Sequence, residues 1–279
     1  MRVISLHPDV LVVTSAVLQV NCVIVRGGIP GGREGPPGAE PADAAELPGE
    51  TFVIDSPVLP DELDALPALL EQARYPTPSG LLATHGDWDH LLGRLAFPAV
   101  AVGCAESTAE RLQASPGEAQ RELRKFDEEL MIDRPRPLAL GSIQALPVPG
   151  RCELGEGELE LHAADGHTRD GMAIRVPWAR VLVAGDYLSP VEIPALNAGD
   201  TVTAYLQTLE RLRALLDVCE HVVPGHGSVL DSVRARSLLD EDVDYLDELR
   251  RRGADAELPV GRSSRQQRLI HAENARALA

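Results

Sequence analysis

The chain has 279 residues, enough to bury a sizeable core. Its formal net charge is -17, and this argues against a nucleic-acid partner because phosphate binding needs a basic surface. No apolar run approaches the roughly 18 residues of a transmembrane helix, and the N-terminus lacks the pattern of a signal peptide. We therefore expect a globular cytoplasmic protein that acts without a nucleic-acid or membrane partner.

The first part of the chain predicts strands and a helix around a polar insertion. Apolar runs predict strands at 10–13, 21–25 and 51–54, and leucines at helical spacing predict a helix over 60–74. Residues 27–50 are rich in glycine, proline, alanine and glutamate, a composition that buries little apolar surface. We predict a flexible insertion there, with a lid over a site as the alternative.

The rest of the chain continues with strands and helices. Strands are predicted at 80–83, 99–102, 142–146, 159–163, 172–176, 180–184 and 222–223, and helices over 91–95, 107–131, 203–216, 233–252 and 266–278. In both halves strands come first and a helix comes last. This order predicts an α+β fold in which the sheets pack centrally and helices cover them. We expect a single domain over 1–279, with C-terminal helices from about 233.

The segment Thr84-His85-Gly86-Asp87-Trp88-Asp89-His90 crowds four potential metal ligands into six positions after an apolar strand. Imidazole and carboxylate together suit divalent ions such as zinc, iron or manganese. His167, Asp186 and His226 also lie next to glycines in turns. Each of them alone is compatible with an ordinary loop residue, but the set of them predicts one metal site.

The ordered motifs resemble those of the metallo-β-lactamase superfamily of hydrolases. The first motif of that family is His-x-His-x-Asp-His, and here it reads His85-Gly86-Asp87-Trp88-Asp89-His90. Gly166-His167-Thr168, Gly185-Asp186 and Pro224-Gly225-His226-Gly227 match the later motifs in order and spacing. The resemblance extends from about residue 10 to residue 230 and implies a four-layer αββα sandwich.

The same resemblance implies two divalent metal ions in a cleft at one sheet edge. The implied ligands are His85, Asp87 and His167 for the first ion and Asp89, His90 and His226 for the second, with Asp186 bridging the two. The implied reaction is hydrolysis of an ester, thioester, lactone or related bond of a small molecule. A metal-bridging hydroxide attacks that bond, and Asp89 orients the hydroxide as the catalytic residue.

Asp87 departs from the family pattern, which has histidine at this position. A carboxylate remains a ligand but adds a negative charge and makes the first site harder. Zinc is the expected metal, and iron or manganese are the alternatives that Asp87 introduces. Flavo-diiron proteins of the superfamily have glutamate here, so a di-iron oxidoreductase is an alternative function. A further alternative is a degenerate member that binds a ligand without catalysis, and an aspartate too short to reach would leave one tight site.

Three other residues near these motifs receive individual interpretations. Tyr187 directly follows Asp186, and we consider it a candidate hydrogen-bond donor to the substrate. Asp55 is expected to hold loops by hydrogen bonds, and Trp88 to pack in the core. The oligomeric state and the identity of the substrate are left open by the sequence, because loops such as 27–50 and 189–200 set the substrate.

Overall fold

The structure, a computed structural model, describes residues 1–27, 49–196 and 202–278. Two β-sheets face each other, and helices cover both outer faces. This is the predicted four-layer αββα sandwich. The predicted insertion at 27–50 lies outside the described residues except at its two ends, as does the end of the 189–200 loop.

The first sheet has seven strands in the described residues, and they lie in chain order across it. They are β1 (Arg2–His7), β2 (Val10–Thr14), β3 (Asn21–Gly27), β4 (Glu50–Ile54), β5 (Gly80–Leu82), β6 (Val102–Ala105) and β7 (Ile143–Leu146). Strands β1 to β4 pair antiparallel, whereas β4 to β7 pair parallel.

The second sheet has six strands in the same described part of the chain, in the order β13-β12-β11-β10-β9-β8. They are β8 (Gly150–Leu154), β9 (Gly157–Ala163), β10 (Met172–Val176), β11 (Val181–Val183), β12 (His221–Val223) and β13 (Leu230–Asp231). Strands β11 and β12 pair parallel, and the other neighbours pair antiparallel.

Seven α-helices lie within the described residues. They are α1 (Pro60–Ala73), α2 (Gly93–Ala96), α3 (Glu106–Ala114), α4 (Glu118–Leu130), α5 (Val202–Leu216), α6 (Ser232–Arg252) and α7 (Arg265–Ala277). Helices α1 to α4 pack on the first sheet, and α5 to α7 pack on the second. Helix α6 begins at an aspartate cap, since Asp231 Oδ1 accepts the Arg234 N–H at 2.7 Å. None of these described helices is long and apolar enough to cross a membrane.

The core between the sheets explains why several strands are apolar on both faces. In β3, Val23 and Val25 pack between the two sheets, whereas Cys22 and Ile24 pack against the helices of the first layer. Side chains alternate between the faces of a strand, so a strand covered on both faces is a nearly continuous apolar run. That is the pattern from which β3 was predicted.

The structure corrects three predicted elements and adds three strands that were not predicted. The strand predicted at 99–102 begins at Val102, because the preceding residues form a turn in which the Val100 N–H donates to the Phe97 carbonyl at 3.1 Å. The helix predicted over 107–131 is two helices, separated by Pro116 and by Gly117 with φ of 76°. A 3₁₀ helix and the short α2 replace a helix over 91–95. Strands β1, β8 and β13 were not predicted, because they lack long apolar runs.

Candidate metal centre

The candidate ligands follow strands that end at one edge of the sandwich. Strands β4 and β5 run parallel in the first sheet, and β11 and β12 run parallel in the second. Strand β9 has the direction of β11, since both pair antiparallel with β10. Asp55 follows β4, the segment Thr84–His90 follows β5, His167 follows β9, Asp186 follows β11 and His226 follows β12. The topology therefore brings together residues that are far apart in the chain.

The first group of candidate ligands consists of His85, Asp87 and His167. One nitrogen or oxygen atom of each lies within 4.8 Å of the other two. Asp87 Oδ2 lies 3.5 Å from His85 Nε2 and 3.6 Å from His167 Nε2. Both imidazoles are buried, whereas the Asp87 side chain is 26% exposed. Aspartate is therefore long enough to bring an oxygen to the two histidines at this position.

The second group consists of Asp89, His90 and His226, which meet the same 4.8 Å limit. Asp89 Oδ2 lies 3.4 Å from His226 Nε2 and 3.9 Å from His90 Nε2. Asp89 and His90 lie on the 3₁₀ helix Trp88–His90. The His90 side chain has no exposed surface, so this group lies deeper in the protein than the first.

Asp186 lies between the two groups, and its carboxylate faces all four histidines. Its Oδ2 lies 3.6 Å from His85 Nε2, 3.3 Å from His167 Nε2 and 3.4 Å from His226 Nε2, and its Oδ1 lies 3.2 Å from His90 Nε2. A Cβ atom at Gly225 would lie 1.9 Å from Asp186 Oδ1, so this approach requires glycine. A carboxylate that reaches both groups is placed as a bridging ligand needs to be.

The other ring nitrogen of each histidine contacts a group outside the cluster. Thr84 Oγ1 lies 3.1 Å from His85 Nδ1, Asp55 Oδ2 lies 3.0 Å from His90 Nδ1, the Ala195 carbonyl oxygen lies 3.2 Å from His167 Nδ1, and the Leu18 carbonyl oxygen lies 2.9 Å from His226 Nδ1. Partners of this kind orient histidines that bind metal ions. All four Nε2 atoms are thereby left to face the cluster.

Several of these inward-facing atoms have no hydrogen-bond partner among the described residues. They are the buried Nε2 atoms of His85, His90 and His167 and the Oδ1 atom of Asp186. Leaving buried polar atoms unpaired is costly, and cations would satisfy them. Four imidazoles and three carboxylates also form a donor set that suits zinc, iron or manganese. The residues present therefore fit a pair of divalent metal ions.

The carboxylates make the site strongly attractive to cations. Burial alone would lower the pKa of His226, but Asp186 and Glu192 outweigh burial and raise that pKa to about 10. At His167 burial also lowers the pKa, but Asp87 and Asp186 outweigh burial and raise the pKa to about 9. Metal ions compete with protons for such nitrogens, and the same negative field favours both.

Three charged residues around the cluster were not predicted from the sequence. Arg111 Nη2 donates to Asp87 Oδ1 at 2.7 Å, and Arg111 Nη1 donates to Asp170 Oδ1 at 2.9 Å. Glu192 Oε1 lies 3.9 Å from His226 Nδ1, and its carboxylate forms a further potential ligand group with Asp186 and His226. None of the three belongs to a recognisable motif, although Asp170 follows His167 by three residues.

The residues interpreted individually have defined contacts. Asp55 accepts hydrogen bonds from Thr84 N at 2.8 Å and from Thr84 Oγ1 at 2.9 Å, which confirms its predicted role in holding loops. Trp88 packs against Phe126 at the margin of the core, with ring centroids 4.6 Å apart, as predicted, and its exposed part lines a cavity beside the cluster.

Tyr187 is 2% exposed, and its hydroxyl accepts the His167 N–H at 2.8 Å. This contact holds the loop that carries His167. The role of Tyr187 as a donor to the substrate stays a prediction.

A cavity of about 860 Å³ opens beside the cluster. Asp87 and Asp89 line it together with Trp88, Arg111 and Arg169. The candidate centre is therefore accessible from one side, and a small molecule fits in the cavity next to it.

Comparison with known protein families identifies the superfamily. The metallo-beta-lactamase superfamily matches residues 46–226, which include every predicted metal ligand. The chain belongs to this superfamily. Both the resemblance and the fold predicted from the motifs are thus confirmed. Members of this superfamily are typically metal-dependent hydrolases. No curated protein matches the sequence significantly.

Several solved structures have the same fold as this chain. A stereoselective inverting sec-alkylsulfatase from Pseudomonas sp. superposes with a TM-score of 0.67 at 16% identity, over 99% of this chain and 49% of that chain. A metallo-beta-lactamase family protein from Thermus thermophilus superposes with a TM-score of 0.66 at 19% identity, over 98% of this chain and 93% of that chain. A metallo-beta-lactamase from Pontibacter korlensis superposes with a TM-score of 0.55 at 17% identity, over 86% of this chain and 98% of that chain. The chain thus spans about half the length of the alkylsulfatase.

Proposed function

We propose that this protein is a hydrolase that uses two divalent metal ions to cleave an ester, thioester, lactone or related bond of a small molecule. One observation carries the proposal: two groups of imidazoles and carboxylates meet at Asp186, and their buried Nε2 atoms face one another. We propose zinc as the resident metal, because the set contains four imidazoles. The open cavity beside Asp87 and Asp89 is the proposed substrate site.

The chemistry of the proposal divides between the ions and the side chains. Two bound divalent ions lower the pKa of water and polarise an oxygen of the substrate. Asp89 belongs to the second group and also lines the cavity, so its carboxylate is placed to orient the attacking water and to hold its proton. The apolar side chains of Trp88 and Leu112 line the same cavity and provide contact surface for the substrate.

Metal analysis and a substrate panel test this proposal. We expect about two metal equivalents per chain by elemental analysis of the purified protein. We also expect turnover of at least one substrate in a panel of p-nitrophenyl esters, thioesters, lactones and secondary alkyl sulfates. The sulfates are included because an alkylsulfatase has the same fold. Removal of the metal with a chelator should abolish that turnover, and added zinc should restore it.

The control for this test is a histidine outside the centre. His162 lies on strand β9 outside the ligand cluster, and its Nε2 lies 3.5 Å from Glu160 Oε2. His162→Ala should therefore leave metal content and turnover unchanged. Full turnover by the chelated, metal-free protein would refute the proposal. Absence of bound metal after growth in metal-rich medium would favour the alternative of a degenerate, ligand-binding member.

A di-iron oxidoreductase is the second candidate function, and Asp87 is the observation that favours it. A carboxylate is a harder ligand than an imidazole, and it shifts the preference of the first site from zinc toward iron or manganese. Two iron equivalents per chain, together with an absorption band that changes on reduction, would support this candidate. Two zinc equivalents together with hydrolytic turnover would exclude it.

A further inference from the structure

Arg111 lies on helix α3, outside the predicted motifs, and contacts two carboxylates at once. Its Nη2 donates to Asp87 Oδ1 at 2.7 Å, and its Nη1 donates to Asp170 Oδ1 at 2.9 Å. The guanidinium is planar and presents its donors in a fixed fork, so two such contacts define its orientation. Arg111 therefore connects helix α3 to the first group of ligands.

Asp170 fixes Arg111 to the backbone of the ligand segment. The Asp170 side chain is 2% exposed, and its Oδ2 accepts the Gly86 N–H at 2.9 Å. A Cβ atom at Gly86 would lie 3.2 Å from Asp170 Oδ2 and 3.4 Å from Arg111 Cδ. Gly86 thus leaves room for Arg111 and Asp170. Asp170 is anchored to the backbone N–H of Gly86, the residue directly before Asp87, and this fixes the guanidinium beside Asp87.

The position that Arg111 serves is the one that departs from the family motif. A carboxylate in place of a neutral imidazole adds one negative charge to the first group, next to Asp186. Like charges in a buried site repel, and the repulsion is offset only by nearby positive charge. Arg111 supplies that charge at the outer oxygen of Asp87, while Asp87 Oδ2 faces His85 and His167.

We propose that Arg111 is the positioning residue that makes Asp87 a functional metal ligand. The guanidinium holds Asp87 Oδ1, directs Asp87 Oδ2 toward the first ion, and offsets the charge gained where the family has histidine. This proposal rests on the proposed two-metal site. It implies that aspartate and arginine act as a unit, so neither residue can be exchanged alone without loss.

The unit makes a counterintuitive prediction for the reversion to the family motif. Asp87→His restores the common ligand but places an imidazole beside a guanidinium that has lost one of its two carboxylate partners and keeps only Asp170. We therefore expect Asp87→His alone to weaken the first site. The double variant Asp87→His/Arg111→Met removes the positive charge beside the new imidazole and should recover the affinity.

The experiment is a double-mutant cycle read out by metal binding, with no dependence on turnover. The chelator-treated full-length protein and its variants are titrated with Zn²⁺ by calorimetry, and with Co²⁺ for its ligand-field spectrum. Arg111→Met should weaken one of two Zn²⁺ sites by roughly 10- to 100-fold and leave the other unchanged. Arg111→Lys keeps the charge but loses the forked donors, so its zinc affinity should lie between those of the native chain and of Arg111→Met.

In the Asp87→His background, Arg111→Met should strengthen zinc binding, and this reversal of sign is the decisive result. The matched control is Arg136→Met, which breaks the exposed ion pair of Arg136 with Asp64 and should leave both sites unchanged. Asp170→Asn is a second variant that loosens Arg111 without touching Asp87. Circular dichroism before titration verifies that each variant is folded.

Two results would overturn the proposal, and they differ from a failure of the proposed function. If the native chain binds two Zn²⁺ ions and Arg111→Met binds them equally well, Arg111 does not position Asp87. If Arg111→Met costs the same affinity with aspartate and with histidine at position 87, Arg111 acts only on the general structure. If the native chain binds no divalent ion, the proposed two-metal function fails, and this inference fails with it.

Discussion

The two groups of the candidate metal centre are supported in different ways. The first group lies beside the open cavity, and its carboxylate, Asp87, is 26% exposed and paired with a guanidinium. The second group is more enclosed, since the His90 side chain has no exposed surface and contacts the buried carboxylate of Asp55. One group is therefore supported from the cavity side by a charged side chain, and the other from within the core.

The difference indicates where such a centre tolerates substitution. At the cavity side, a new ligand can recruit a compensating charge from a surface helix, as Asp87 does with Arg111. In the core, an added charge at His90 would have to be paired in a place where desolvation is severe. The departure from the family motif accordingly occurs in the open group and not in the enclosed one.

Loss of a ligand in the enclosed group should have the largest effect. His90→Ala should remove one of two metal equivalents and lower turnover by more than the roughly 100-fold that loss of an outer partner costs. The physical reason is that three carboxylates, those of Asp55, Asp89 and Asp186, then surround a vacated position. Elemental analysis and steady-state kinetics measure both effects. Retention of two tightly bound ions would show that the second group is not a metal site.

Loss of the inner support should have an intermediate effect. Asp55→Asn keeps the size of the side chain but removes the charge that faces His90 Nδ1 and weakens the two hydrogen bonds from Thr84. We expect a roughly 10- to 100-fold weaker second site. We also expect a free energy of unfolding lower by about 1–3 kcal/mol. Zn²⁺ titration and denaturant unfolding measure these, with the exposed Asp64→Asn as control. An unchanged second site would mean that the two groups do not differ in support.

Loss of a neutral support in the open group should have the smallest effect. Tyr187→Phe removes the hydroxyl that accepts the His167 N–H, and we expect unfolding to be easier by about 1 kcal/mol. The KM should stay unchanged if the hydroxyl only holds the loop. A higher KM at unchanged stability would instead support the prediction that Tyr187 contacts the substrate. Thermal unfolding and steady-state kinetics distinguish the two.

Most strands in the core of the sandwich could be predicted from local patterns. The runs that became β3, β4 and β10 are apolar on both faces, because each is covered by a second sheet and by helices. The edge strands β1 and β13 gave no such signal, since edge strands are short or half exposed. The break at Pro116 and Gly117 was missed because the helical pattern resumes directly after it.

The sequence by itself determined the superfamily, the fold and all the candidate ligands except Glu192, because these depend on motifs whose order along the chain is visible. The tertiary structure alone decided what supports each ligand. Arg111 is 24 positions from Asp87 and 59 from Asp170, and an arginine on a surface helix gives no signal of its own. Its contacts exist because helix α3 packs beside β6 and β7, next to the strand β5 that precedes Asp87, and that proximity arises only on folding.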